Sequence, residues 1–167
     1  MSDCVIRLAT QADAALIHEA AVATWEPTYR SIISQEQIEV MFEDLLSMAA
    51  IKRQIMGNEG TYVLAIVGEQ AVGFGYFNVD DHSPKTYKLH RLYMRPGVQR
   101  SGIGSQLLSW IEEYLRATGA HELVLNVNRY NSAQEFYRKN GYEVIDIVDI
   151  PYKQFWLNDY VMKKALQ

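Results

Sequence analysis

Gln99-Arg100-Ser101-Gly102-Ile103-Gly104-Ser105 separates an apolar run that ends at Met94 from a helical pattern that begins near Ile103. Glycine adopts positive φ and has no Cβ, so two glycines at this point let the backbone turn sharply and approach an anion closely. A helix starting there directs unpaired N–H groups and the positive end of its dipole to the same place. Arg100 adds a cation, and Ser101 and Ser105 add hydroxyl donors. The stretch therefore reads as a phosphate-gripping turn between a strand and a helix. Two better-known glycine loops do not fit. A P-loop needs Gly-Lys-Ser/Thr after four residues, and the dinucleotide pattern needs a third glycine where Leu107 stands. The plainer alternative is a strand-to-helix turn with no ligand, and the flanking sequence decides between the two.

Working outward, Ile103, Leu107, Leu108, Ile111 and Leu115 share one face of a helix over 102–118, with Gly119 as its C-cap. Before the turn, Thr86–Arg95 reads as a strand closed by Pro96-Gly97. After the helix, Glu122–Val127 alternates as a second strand. This section is a right-handed crossover candidate, which predicts parallel or locally splayed strands with the glycine turn at a strand's C-terminal end. Upstream, Tyr62–Val67 and Val72–Val79 form a hairpin across Gly68-Glu69-Gln70, followed by a loop over Asp80–Pro84. Val5–Leu8 is a short strand, with Thr10 as N-cap of a helix over 11–24 that Pro27 breaks. Ser34 and Gln37 form a capping box for a helix over 35–46, with a further helical turn towards Met56. A short helix over 131–140 and two strands, 142–150 and 154–162, complete the chain. The expected architecture is a single α+β domain over 1–167: a six- to seven-stranded mixed, mostly antiparallel sheet flanked by about four helices.

With 167 residues, 49% hydrophobic and 22% charged, the chain has the balance of a globular domain. A net charge of −4 argues against nucleic acid as a partner. The lone Cys4 forms no internal disulfide, and no apolar run approaches the roughly 18 residues of a membrane span, so the expectation is a cytoplasmic protein without membrane or metal.

Leu92-Tyr93-Met94-Arg95-Pro96-Gly97-Val98-Gln99-Arg100-Ser101-Gly102-Ile103-Gly104 resembles the acetyl-CoA signature of the GNAT superfamily of N-acetyltransferases. A second block, Asn131-Ser132-Ala133-Gln134-Glu135-Phe136-Tyr137-Arg138-Lys139-Asn140-Gly141-Tyr142, resembles that family's second cofactor element, in the expected order and separation. The resemblance implies acetyl-CoA as cosubstrate. Leu92, Tyr93 and Met94 match the strand that pairs with the pantetheine arm, and Gln99 to Ser105 match the pyrophosphate loop. Asn131 matches the asparagine on the pantetheine side, although it lies two residues before Ala133 where many members have three. Tyr137 matches the tyrosine near the thioester sulfur.

An amine must be neutral to attack a thioester, whereas alkylamines are mostly protonated at pH 7. The resemblance assigns the Met94 N–H to polarise the acetyl carbonyl and Tyr137 to protonate the departing thiolate, with direct attack that needs no Cys4. Several members carry a glutamate on the strand before the turn; here Lys88-Leu89-His90-Arg91-Leu92 has no carboxylate. His90 is the candidate base, beside a water-mediated route and a purely local hydrogen-bonding role. Trp25, Glu26, Tyr29 and Arg30, with Tyr76, Asp80, Asp81 and Trp156, suit an aliphatic ammonium acceptor through cation–π contact and charge pairing. Core packing for the tryptophans and a solvated turn for the aspartates are the alternatives. The ending Asn158–Lys164 is similar to the small bacterial polyamine-type branch, which makes a small amine the expected acceptor. A protein N-terminus or lysine, or a non-catalytic CoA sensor, are the other readings. Family members often pair through terminal strands, so a homodimer is compatible with the resemblance.

Overall fold

The computed structural model describes residues 3–167. Its elements are β1 (Cys4–Leu8), a 3-10 turn (Gln11–Asp13), α1 (Ala14–Tyr29), α2 (Gln35–Leu46), α3 (Met48–Met56), β2 (Thr61–Val67), β3 (Gln70–Asp80) and β4 (Ser83–Met94). There follow α4 (Ile103–Ala117), β5 (Glu122–Asn128), α5 (Ala133–Lys139), β6 (Glu143–Tyr152) and β7 (Phe155–Ala165). The strands form one seven-stranded sheet in the order β1-β2-β3-β4-β5-β7-β6. The β4–β5 pair is parallel, as the crossover requires, and β1–β2, β2–β3, β5–β7 and β6–β7 are antiparallel. The chain is organised as two compact units. One comprises the chain up to Asn78 with Arg91–Ile111, the other Val79–His90 with Glu112–Gln167.

In the first unit, α1 packs on α2 and α3 through a core that includes Ile17, Trp25, Leu46 and Ile51. Ser34 and Ser47 cap α2 and α3, their hydroxyls accepting from the amides of Gln37 and Ala50 at 3.1 Å each. Pro27 does not break α1, which runs on to Tyr29. One turn remains beyond the proline, and it is held by Arg30 N–H donating to Glu26 O at 2.9 Å and by Tyr29 packing tilted against Trp25, ring centroids 4.6 Å apart. Those contacts offset the bond that proline cannot make. β1 enters the helical layer through a charge pair. Arg7 donates to both carboxylate oxygens of buried Asp13, at 2.7 and 2.9 Å, and Thr10 N–H adds a bond of 2.8 Å.

In the second unit, the loop expected over Asp80–Pro84 is a tight turn at Asp81-His82. The Asp80 carboxylate accepts the His82 N–H at 2.8 Å, so β3 and β4 extend almost to each other. β4 and β5 pair over four positions, from Thr86↔Glu122 to Leu89↔Leu125. β5 then pairs with β7 along its whole length, burying Leu123, Leu125 and Val127. Glu112, buried on α4, accepts from Tyr142 Oη at 2.7 Å and Lys164 Nζ at 2.9 Å.

The Arg7 hydrogen bonds hold the Asp13 carboxyl down at about 2, well below the ordinary carboxylate range. A depressed acid stabilises the fold above its unfolded pKa of about 3.9 and loses that contribution as pH falls through the folded value. Allowing for the exposed side of Arg7, the pair contributes about 1–2 kcal/mol at neutral pH. Urea unfolding between pH 5 and about 2 is expected to show this loss in the wild type and a flatter profile in Asp13→Asn; equal slopes would remove the pair from the acid response.

Candidate functional site

The first unit carries the glycine turn. Arg95 anchors its start, the amide donating to Val72 O at 2.8 Å and Nε to Ala71 O at 2.7 Å. Two successive turns follow, Val98 N–H to Arg95 O at 3.1 Å and Ser101 N–H to Val98 O at 3.2 Å. Arg100 (φ +67°) and Gly102 (φ +87°) both take the left-handed conformation. The first helical bond of α4 is Gln106 N–H to Gly102 O at 3.0 Å, so the Gly104 and Ser105 amides precede the helical ladder and point out of its N-terminus. Gln99 to Gly102 are exposed, and a Cβ on Gly102 would meet nothing within 4 Å. Glycine is required there by its φ alone, and the space beside it is open. Buried Leu107, Leu108, Ile111 and Leu115 hold α4 in place behind these amides.

The end of β4 prepares a second set of donors. In an antiparallel ladder the bonding residues alternate. Since Arg95 bonds to Val72, Tyr93 and Arg91 also address β3, and the amides of Met94 and Leu92 address the opposite edge of β4. The side chains of Met94 and Leu92 lie over Gly73 and Gly75 of β3, where a Cβ on Gly73 would fall 2.3 Å from Met94 Sδ. The missing side chain on β3 is what admits Met94.

The other face of the same strands is aromatic. Tyr93 meets Trp25 edge-on at 5.7 Å and Phe74 at 5.7 Å, and its hydroxyl lies 2.7 Å from that of Tyr29. Trp25 is only 4% exposed and donates from Nε1 to Ile38 O at 3.0 Å, so it backs the cluster as core, whereas Tyr29 and Tyr93 are half-buried. Tyr76 lies in a deeper tier. The Arg91 guanidinium sits 4.6 Å over its ring and donates to Tyr62 Oη at 2.9 Å, and Tyr62 in turn donates to Gln54. Burial pushes the Tyr62 phenol up to about 12 and raises that of Tyr76, so both stay neutral donors.

The second unit holds the remaining candidates. Asn131 Oδ1 accepts the Ala133 N–H at 2.9 Å, starting α5 as an Asx turn. Tyr137 is buried on α5, edge-on to Phe136 at 5.3 Å and to Tyr142 at 5.8 Å. His90 is exposed on β4, and Trp156 is 57% exposed at the β6–β7 hairpin, which rules out core packing for it. Asp80 is engaged by the turn it makes. Burial pushes the Cys4 thiol up, away from the thiolate a nucleophile needs. Among the described residues no three His, Cys, Asp or Glu side chains are grouped as a metal would require, and no helix is long and apolar enough to cross a membrane. One residue escaped the sequence reading. Asp159 of β7 is buried beside Asn126, its carboxyl raised by burial. Its signal was an acid on the same strand parity as Leu157 and Val161.

Residues 18–142 match the acetyltransferase (GNAT) family. The chain belongs to that family. A spermidine N(1)-acetyltransferase from Thermoplasma acidophilum is 30% identical over 165 residues, covering 97% of each chain. The solved structure of a PaiA N-acetyltransferase from the same organism, in complex with coenzyme A, superposes with a TM-score of 0.83 at 27% identity over 98% of this chain and 99% of that one. An aminoalkylphosphonate N-acetyltransferase from Salmonella typhimurium is 33% identical over 87 residues, 49% of this chain and 56% of that protein. The protein is thus a GNAT N-acetyltransferase with the mixed sheet expected from its sequence, and both sequence blocks that carried the resemblance fall within the matched residues.

Substituting Gly102 tests whether this acetyltransferase needs glycine there for conformation or for space. Gly102→Ala is expected to cost about 1 kcal/mol from the left-handed backbone alone. Chemical denaturation would measure it, and a loss several times larger would reveal a steric conflict that the open surroundings contradict.

Proposed function

We propose that this GNAT enzyme moves the acetyl group of acetyl-CoA to a primary amine of a small molecule, a polyamine being the leading acceptor, by direct attack with both substrates bound. The observation that carries the reading is the pairing of the glycine turn with the outward amides of β4, both in the first unit. The turn fits a diphosphate: its amides precede the helical ladder, its surface is exposed, and Arg100 adds charge. The Met94 and Leu92 amides fit an extended amide-containing arm laid along the strand edge. Bound acetyl-CoA supplies an activated acyl carbon and a thiolate leaving group.

The chain's own groups supply the rest. Met94 N–H donates to the acetyl oxygen as negative charge develops there. Tyr137 gives a proton to the sulfur, and Asn131 orients the arm. His90 remains the sequence candidate for accepting the amine's proton. The half-buried rings of Tyr29 and Tyr93, backed by Trp25, offer faces to an alkylammonium; the face of Tyr76 is taken by Arg91, and exposed Trp156 is a separate candidate on the second unit. The family match draws on both units, which supports reading 1–167 as one catalytic domain. The 30% identity to a spermidine acetyltransferase over nearly the full chain supports the polyamine acceptor.

The test is CoA release from acetyl-CoA across polyamines, amino acids, aminoglycosides and short peptides, with acetyl-CoA binding measured by calorimetry. Turnover is expected on polyamines. Tyr137→Phe is expected to lower kcat by about 100-fold while the acetyl-CoA affinity changes little. Turnover confined to peptides would replace the small-molecule reading with protein acetylation. Binding without turnover on any acceptor would favour a CoA sensor.

A further inference from the structure

The described residues include three buried carboxylates, and two of them are fully engaged. Asp13 holds Arg7 through both oxygens, and Glu112 accepts from Tyr142 at 2.7 Å and from Lys164 at 2.9 Å. Asp159 differs. It is 9% exposed, and its side chain accepts one long bond, from Asn126 Nδ2 at 3.4 Å. Arg129 does not neutralise it. That guanidinium donates to the backbone oxygens of Val148 and Asp159 at 3.1 and 3.3 Å and reserves its short ion pair, 2.7 Å, for Asp149. Lys88 of β4 acts on Asp159 only through space. A carboxylate taken out of water this far is ordinarily met by several donors, because burying it unmet costs several kcal/mol. Asp159 keeps acceptor capacity that its one long bond does not use.

Its position ties it to the second of the two sequence blocks that mark the family. Asn126, its partner, is the first β5 residue beyond Leu125, where the ladder with β4 ends. The segment that leads from β5 into Asn131 and α5 is tied to the same place, Arg129 N–H donating to Asn158 O at 3.0 Å. The buried carboxylate therefore sits where β5 hands over to the second cofactor element, on the same unit as Tyr137.

We propose that the Asp159 carboxylate, in place of the exposed His90, receives the ammonium group of the acceptor and takes one of its protons. This rests on the amine-acetylating reading given above. The alkylammonium donates to a free lone pair of Asp159, and one proton passes to the carboxylate and on to solvent. The neutral nitrogen keeps its lone pair, which forms the N–C bond to the acetyl carbon as the C–S bond breaks. The second nitrogen-bound proton ends on the sulfur. The sum is ammonium plus thioester giving amide, thiol and one proton. Burial raises the Asp159 carboxyl and Asp149 of β6 raises it further, while Asn126, Lys88 and Arg129 pull it back. A raised acid is the stronger base near neutral pH. It also makes the ionised form a cost to folding above the ordinary carboxylate range, so the charge is not there for stability.

Asp159→Asn, an isostere without that charge, decides the matter. Its melting temperature and acetyl-CoA affinity are expected to hold or improve, while kcat/KM for the amine near pH 7.5 falls by about 100-fold. The deficit should shrink towards pH 10, where the free amine supplies itself. A rate within about threefold of wild type at pH 7.5, or a deficit that is the same at every pH, overturns the proposal. If that variant fails to fold, Asn126→Ala keeps the carboxylate and removes its one bond, and should move the acidic limb of the kcat/KM profile to higher pH; an unmoved limb overturns the proposal equally. Failure of the underlying reading looks different: wild-type protein would release no CoA with any amine, and both would fall together.

Discussion

The parallel ladder between β4 and β5 lasts for four residue pairs, and the turn that follows it is a consequence of that pairing. A parallel pair cannot be joined by a hairpin, so the chain must leave β4, cross over as α4 and return as β5. That requirement puts a strand C-terminus, a turn and a helix N-terminus in succession, the arrangement that concentrates unpaired amides. β4 continues past Leu89 to Met94 with β3 bonding one edge, and the parity set by Arg95 and Val72 turns the Met94 and Leu92 amides to the other. β5 continues past Leu125 to Asn128 with β7 alongside, carrying Asn126 to Asp159. Gly73 on one strand and the buried face of α4 on the other side of the turn keep these donors from being idle backbone: they are held where they point.

Much of this was legible in the sequence because it is local. The left-handed φ at Gly102, the helical face of Leu107, Leu108, Ile111 and Leu115, and the alternation of β5 each follow from a few adjacent residues. The differences arose where a particular side-chain contact, rather than the residue pattern, decides. Pro27 reads as a helix breaker until the tilted packing of Tyr29 against Trp25 is known, since those rings hold the turn beyond it. Asp80–Pro84 reads as a loop until the Asp80 carboxylate is seen closing a tight turn. Asp159 was invisible for the same reason: an aspartate in a strand is ordinary, and only the registers of β5 and β6 against β7 bury it.

Charge within the fold divides by purpose. Where a buried carboxylate serves stability, the chain surrounds it with donors: Arg7 and Thr10 for Asp13, Tyr142 and Lys164 for Glu112. Removing a partner from either would leave an uncompensated charge in low dielectric. Asp159 is given one weak donor, with the nearest arginine turned to its backbone and to Asp149 instead. Under-satisfied buried groups are costly, and proteins retain them chiefly where function uses the unmet valence.

The same logic sorts the aromatic residues. Tyr76 has the ring face that a cationic ligand would seek, but Arg91 already lies 4.6 Å over it, so its quadrupole is spent on an internal guanidinium. Arg91 is itself buried with no carboxylate beside it among the described ion pairs, and the Tyr76 ring and the Tyr62 hydroxyl are what make that burial tolerable. Trp25 is enclosed and its N–H is taken by Ile38. Tyr29 and Tyr93 remain half-buried, with their hydroxyls bonded to each other so that the rings are fixed in orientation. A preorganised pair of phenols costs little entropy on binding an alkyl chain. The deeper tier therefore supports the sheet, and only the Tyr29–Tyr93 pair keeps ring faces half open.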